Sequence, residues 1–571
     1  MSLASARLQL SRSKINKIII EGIAFLAVVI AFLLPRFLNL DAFVTPDEEL
    51  WLTRSANFYT ALAQRDYINT YQKEHPGVTI MWAGMAANLI EDPQYRGSGL
   101  GQASTMQYVY YMDHFTKVKL LDILRTGRLF VVIAITICAG IAYLYTRSMV
   151  GLLASLIGFL LIAFDPFFIG LTRLLHLDGL MSALLLLSLV SFIYFLRKRR
   201  LRDLFISGGA AGFCWLTKSP GFILGIIIGI IALAGIWFDH KHNPEKPFLQ
   251  LLWNFSWPVI AWASIGIGIY FIFWPAMWVD PIGTFNKVLS ETEGYAEKGH
   301  FASVFFNGTI IESGDIGSQY AYYYPFTYMW RTTPVVLGGL ISAGWGFAIH
   351  QKPFKGPNNR FLVFSLVVAA VIFTIVMTVA LKKFDRYLLP VYPILDLIAG
   401  MGLASLVYWS FVPEHSAWMK TLVAVLGIAA VSLQLILATS VYPYYLNYFN
   451  PLLGGPRQAV NVMQVGWGEG LDQAARYLNA KPDAKDLTVY AWYSGGSFSY
   501  FFDGNAYYLA PSLGEREGDL EKFLSADYAV VYIHQWQRDL PPKVLDILRS
   551  RTPEKTIWIS GLPYVQIYKL H

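Results

Sequence analysis

Long apolar stretches alternate along this chain with short polar ones that hold much of its lysine and arginine. About eleven stretches are apolar over close to one bilayer thickness, which takes about 20 residues of helix and fewer where protein covers them. They lie at roughly 17–35, 128–146, 150–166, 177–196, 204–217, 219–238, 253–274, 333–350, 360–381, 387–409 and 418–441. Helix is the expected form, because only a helix or a closed barrel satisfies its own backbone hydrogen bonds in hydrocarbon. Two long segments, 36–127 and 275–332, interrupt the series. Within the first, Leu50–Leu62 and 78–90 are apolar but short, and read as interfacial or re-entrant helices. From 445 onward the pattern changes. Apolar β-rich runs (Leu487–Trp492, Tyr528–Ile533, Thr556–Ile559, Tyr564–Tyr568) alternate with helix-like runs (Leu471–Leu478, Pro542–Arg549), which predicts a small α/β domain.

The basic clusters orient the series. Arg7, Arg12, Lys14 and Lys17 precede the first span, and Arg197–Arg200 with Arg202, Lys241–Lys246, and Lys352, Lys355 and Arg360 fall on the same side. Positive charge stays cytoplasmic. The N-terminus is therefore expected inside, with both long loops and the C-terminal part outside. This gives a polytopic α-helical membrane protein with a transmembrane module over 1–444 and an external α/β domain over 445–571. No cleavable leader is evident at 1–16, so the first span reads as retained.

Composition agrees. The 571 residues are 55% hydrophobic and 15% charged, where a soluble domain carries about 25% charged residues. The net charge of +7 sits largely beside spans, so it does not mark a nucleic-acid binder. The two cysteines, Cys138 and Cys214, lie in apolar spans and give neither a disulfide framework nor a thiolate metal site.

In that register the reactive side chains gather at the outer face. Asp47 and Glu48 follow Pro46 at a helix start. Acids suit a helix N-terminus, but a carboxylate held at a membrane surface also suits proton transfer from an alcohol. His75 stands in Glu74-His75-Pro76-Gly77. Arg173, His176 and Asp178 fall within six residues at the entry to a span, where ionisable groups are costly and mark function. Arg173 and Asp178 are five apart, so a same-face ion pair is not assured. Lys218 sits in a tight apolar hairpin. Lys382 and Lys383, with Asp385 and Arg386, make a basic loop on the face where lysine is scarce, which points to an anionic ligand. Gly466-Trp467-Gly468-Glu469-Gly470 lacks the strand and basic partner of a nucleotide loop and reads as a turn into a helix.

These motifs, in this order, resemble the GT-C integral-membrane glycosyltransferases, in the branch of protein O-mannosyltransferases and the lipid A aminoarabinose transferase. The resemblance spans roughly 17–441. It rests on Asp47-Glu48 in the first outer loop, His75-Pro76-Gly77, Arg173 to Asp178, Leu216-Thr217-Lys218-Ser219-Pro220 and Arg386-Tyr387-Leu388-Leu389-Pro390. It implies inverting transfer of a sugar from a polyprenyl-phosphate donor to an acceptor hydroxyl of a protein, lipid or glycan, at the extracytoplasmic face of the cell membrane. Asp47 would be the general base, with Glu48 supporting it and Asp178 a second candidate. His75, Arg173, Lys218, Lys382, Lys383 and Arg386 would bind the donor phosphate. No cofactor is required. Glu74 and His75 could join a divalent metal site, but two ligands do not define one. Gly77 stands where relatives have a second proline. A lipid or solute transporter is the competing class. It would place its polar site at mid-bilayer and often show inverted repeats, whereas here the charges gather at one face.

Overall fold

The computed structural model describes residues 3–73, 75–98, 101–242, 244–297, 303–312 and 320–571, with the side chains of 3–14, 97, 98, 242, 295 and 296 outside that description. Glu74 also lies outside the described residues.

Each of the expected spans is occupied by helix: Leu3–Phe37, Leu120–Val150, Leu152–Ala163 with Pro166–Thr172, Leu177–Lys198, Leu201–Thr217, Ile223–His242, Phe248–Phe273, Pro334–Ala348, Pro357–Val379, Val391–Ser410 and Ala417–Thr439. Among the described residues, eight helices are long and apolar enough to cross a membrane, and nine if a pair bent by 65° is one span. The bend falls where Asp165-Pro166 interrupts the third segment, since proline removes a helix hydrogen bond and clashes with the preceding turn. Leu201–Thr217 and Pro334–Ala348, with 17 and 15 residues, are too short by that measure. Their apolar pattern is real, but their length is that of helices partly covered by protein.

The bundle centres on Leu177–Lys198, which is 89% buried, while Ala417–Thr439 is 11% buried and faces outward. Glycine sets the closest approaches. A Cβ on Gly400 would lie 2.2 Å from the Gly158 Cα, and one on Gly402 would lie 2.1 Å from the Gly339 carbonyl oxygen. Val391–Ser410 is thereby wedged between Leu152–Ala163 and Pro334–Ala348, the small-residue packing that substitutes for a hydrophobic driving force between membrane helices.

In the first long loop, Pro46–Ala63 is a helix of 18 residues and Val78–Glu91 one of 14. Both are packed into the protein rather than laid on its surface: eleven residues of Pro46–Ala63, including Trp51, Leu52 and Phe58, are buried. The second long loop adds the helix Pro281–Glu297 and a hairpin of β1 (Val304–Phe306) and β2 (Thr309–Ile311).

Toward the C-terminus, β3 (Thr488–Ala491), β4 (Asn505–Tyr508), β5 (Tyr528–Tyr532), β6 (Lys555–Ile559) and β7 (Leu562–Lys569) form one sheet in the order β4-β3-β5-β7-β6. The first three strands are parallel, and β7 is antiparallel to both β5 and β6. All five residues of β5 are buried, so this strand is the middle of the layer. The sheet carries each strand read from an apolar β-rich run. It adds β4, a short edge strand whose Tyr507 and Tyr508 are exposed.

Candidate active site

A cavity of about 430 Å³ opens where one end of the bundle meets the loops and the C-terminal region. The N-terminal end of Leu177–Lys198 brings His176, the C-terminal end of Leu201–Thr217 brings Lys218, and the turn before Val391–Ser410 brings Lys382, Asp385, Arg386 and Tyr387. The helix Pro46–Ala63 brings Asp47, and the segment between it and Val78–Glu91 brings Lys73 and His75.

The sequence explains why Asp47 stands at the rim. Thr45 and Glu48 make a capping box that starts this helix, with Pro46 at its first position. Glu48 turns inward as a result. Its oxygens accept from the Thr45 N–H at 3.0 Å, the Thr45 hydroxyl at 3.0 Å, the Leu175 N–H at 2.8 Å and Arg128 Nε at 2.7 Å. Burial works against its charge, but Arg128 and these donors outweigh burial and hold the carboxyl below its usual range. Asp47, one residue earlier, faces the cavity. Its Oδ2 lies 2.9 Å from Arg386 Nη2 and 3.3 Å from His176 Nε2. Burial again opposes the charge, and Arg386, His176 and Lys218 overrule it, so Asp47 is ionised far below neutral pH.

Asp178 forms the next layer. It is fully buried, with Lys218 Nζ at 2.6 Å, His176 Nδ1 at 3.4 Å and Arg386 Nε at 3.5 Å. The two carboxylates therefore share His176 and Arg386. Lys218 also lies 4.3 Å from the Tyr387 ring centroid. His75 reaches Ser219 at 3.3 Å, and Ser219 accepts from Thr292 at 3.1 Å, which ties this end of the cavity to Pro281–Glu297. Burial, followed by the nearby Lys218, pushes the His75 imidazole down to about 3, so it is neutral at neutral pH.

Asp47, His75, Lys218, Lys382 and Arg386 line the cavity, with Asp178 directly behind them. Three other expected site residues do not line it. Glu48 is the buried partner of Arg128. Arg173 donates to the carbonyls of Leu38, at 2.5 Å, and Asn39, tying down the chain after the first span instead of pairing with Asp178. Lys383 donates to the carbonyls of Thr378 and Ala380, each at 2.6 Å, and closes the end of Pro357–Val379. Among the described residues no group of three or more His, Cys, Asp or Glu is placed to hold a metal ion.

Sequence reasoning missed the contribution of the C-terminal region. Met463, Gln464, Gly466, Trp467, Glu469, Tyr493 and Arg538 line the cavity. The Gly466–Gly470 motif did signal a turn. Its partners lie some 60 to 420 residues away in sequence, so no local pattern tells which surface that turn would meet. Arg331 is a second omission. It pairs with Asp385 at 2.8 Å and sits 4.0 Å from the Phe449 ring.

Residues 110–269 match the model of the dolichyl-phosphate-mannose-protein mannosyltransferase family. That segment holds Arg173, His176, Asp178 and Lys218. Among solved structures, the chain is similar to the S. cerevisiae protein O-mannosyltransferase Pmt1-Pmt2 complex bound to the sugar donor, with a TM-score of 0.50 and 9% identity over 74% of this chain and 90% of that one. It also matches ArnT from Cupriavidus metallidurans bound to undecaprenyl phosphate, at TM-score 0.47 and 13% identity over 96% and 98% of the two chains. A third match is AglB from Archaeoglobus fulgidus with an inhibitory peptide and a dolichol-phosphate, at 0.46 and 13% over 90% and 70%. No curated protein sequence matches. At such identities the likeness is one of fold: the chain has the GT-C fold of the integral-membrane glycosyltransferases, with a small C-terminal sheet.

Proposed function

We propose that this protein is an inverting glycosyltransferase that moves a sugar from a polyprenyl-phosphate carrier to an acceptor hydroxyl at the extracytoplasmic face of the cell membrane. One observation carries this reading: an ionised carboxylate and a set of cations share a single cavity at one end of the bundle. Asp47 is 2.9 Å from Arg386, while Lys218, Lys382 and His75 line the same space. A transporter would place its polar site near mid-bilayer, whereas this cavity lies at one end of the bundle.

In this reading the acceptor oxygen attacks the anomeric carbon from the face opposite the phosphate. The bond from that carbon to the phosphate oxygen breaks and its electron pair leaves with the lipid phosphate. The acceptor proton passes to Asp47 as the attacking oxygen gains positive character. Asp47 is a weak base because Arg386 and His176 hold it ionised, so it orients the hydroxyl first and takes the proton late. Lys218, Lys382 and Arg386 stabilise the charge that develops on the leaving phosphate. His75 is neutral at neutral pH and accepts or donates a hydrogen bond as a neutral imidazole; a phosphate beside it raises its affinity for a proton, since a nearby anion favours the charged form. Asp178 neutralises Lys218 and keeps it in place. Glu48 positions Asp47 through the helix start rather than touching substrate. Arg173 and Lys383 hold the chain segments that frame the cavity.

The sugar and the acceptor class belong to the test. Purified protein is offered a panel of polyprenyl-phosphate sugars with native membrane extract as the source of acceptors. Wild type should release polyprenyl phosphate and label an acceptor, and Asp47→Asn should not. Absence of turnover from the wild type over the whole panel would reject the transferase reading.

A further inference from the structure

The C-terminal region touches both groups that grip Asp47, and Trp467 meets the two of them at once. The Trp467 ring lies 4.1 Å from the Arg386 guanidinium carbon and meets the His176 ring edge-on with centroids 5.2 Å apart. Arg386 is further boxed by Phe384 at 4.5 Å and Tyr387 at 5.6 Å, both from its own turn. Trp467 is thus the wall that comes from elsewhere in the fold.

The loop that presents it is built for that purpose. Gly466, Gly468 and Gly470 have φ of +96°, +112° and +85°, a backbone that L side chains rarely adopt. A Cβ on Gly468 would lie 2.4 Å from the carbonyl oxygen of Val44, three residues before Asp47, so the loop sits directly on the start of the Asp47 helix. The Trp467 N–H donates to Glu469 at 2.5 Å, the Gly468 N–H to the Tyr532 hydroxyl at 2.9 Å, and that hydroxyl to Glu469 at 3.0 Å. Tyr532 ends the buried strand β5, so the loop is anchored in the middle of the sheet.

We propose that Trp467 is a positioning residue for the transfer reaction: its indole holds Arg386 and His176 against Asp47, and docking of the C-terminal sheet thereby fixes the pose of the base and of the cation beside it. The proposal rests on the transferase reading above. A desolvated cation on an aromatic face gains about 2 kcal/mol or more, roughly thirty-fold in an equilibrium. That is enough to decide whether Arg386 is held in one pose. An apolar side chain without a π face fills the space but does not orient the guanidinium.

The test compares Trp467→Leu with Trp467→Phe in the full-length protein. Trp467→Leu should lower kcat about thirty-fold while the donor KM stays within about three-fold, and Trp467→Phe should restore at least about ten-fold of the loss. Equal activity of the two variants, or a loss confined to KM, would overturn the proposal. A second measurement needs no turnover. The apparent Tm values of wild type, Trp467→Leu, Arg386→Met and the double variant form a cycle, and a contact between the two side chains predicts a combined loss smaller than the sum of the single losses. Additive losses would overturn the contact. A wild type that is inactive with every donor would instead reject the transferase reading, with the cycle still reporting on the contact.

Discussion

Asp47 faces a cavity, Glu48 is locked to Arg128, and Glu49 accepts a hydrogen bond from the Gly496 N–H of the C-terminal region. Three neighbouring carboxylates thus predict three different mutant behaviours. Asp47→Asn removes the proposed base, and turnover should fall about 10²–10⁴-fold, the usual scale for a positioned base, with a drop in apparent Tm smaller than that of Glu48→Gln, because Asp47 is a third exposed and Arg386 keeps Asp178 beside it. Glu48→Gln leaves Arg128 buried without its counter-charge and should cost about 3–5 kcal/mol of stability, read as a large drop in apparent Tm. Burial pushes the Glu49 carboxyl up to about 7 from a usual value of 4.5. The folded protein then holds a proton that the unfolded chain has already lost between those two values. Stability should therefore fall as pH rises from 4.5 to 7 and level off above. Glu49→Gln should flatten that slope and raise stability at pH 8 by roughly 1–3 kcal/mol, discounted for partial exposure. An unchanged slope would show that Glu49 is solvated. Of these three residues the sequence made Asp47 and Glu48 candidates because acids stood at a helix start. The family resemblance ranked Asp47 as the base and Glu48 as its support, but the buried pairing of Glu48 was not legible, because Arg128 lies 80 residues further on and inside an apolar run.

The helices were legible because hydrocarbon admits few alternatives: each apolar run had to become a span or a covered helix. Which runs are too short to cross was less legible, since Leu201–Thr217 and Pro334–Ala348 read as apolar whatever covers them. The glycines that fix helix approach gave no sequence signal that set them apart from spectators. The structure separates the two kinds. A Cβ on Gly400 meets backbone at 2.2 Å, whereas one on Gly209 finds nothing within 4 Å. Gly400→Val should therefore abolish or strongly reduce monodisperse protein in detergent size-exclusion chromatography, and Gly209→Val should not. Equal behaviour would mean that Val391–Ser410 does not pack against Leu152–Ala163 as described. In the C-terminal sheet β3, β5, β6 and β7 showed in the sequence as apolar β-rich runs, and the short, exposed edge strand β4 did not.

At the scale of the whole molecule, the cavity is assembled from the first long loop, several helix ends, the hairpin of the second loop and the C-terminal sheet. The chemistry of the parts could be read from the sequence, because costly charges at span ends need a ligand or a partner. Their assembly could not, and the residues that came as a surprise, Trp467 and Arg331 among them, are those whose partners lie on other parts. The proposed transfer of a sugar from a lipid phosphate in this shared cavity is measured most directly as release of polyprenyl phosphate from a panel of polyprenyl-phosphate sugars by purified wild type, Asp47→Asn and Lys218→Ala. Release by the wild type should depend on the acceptor, and each variant should lose at least about 100-fold. Release at the same rate by all three proteins, or by none of them, would contradict the proposed transfer.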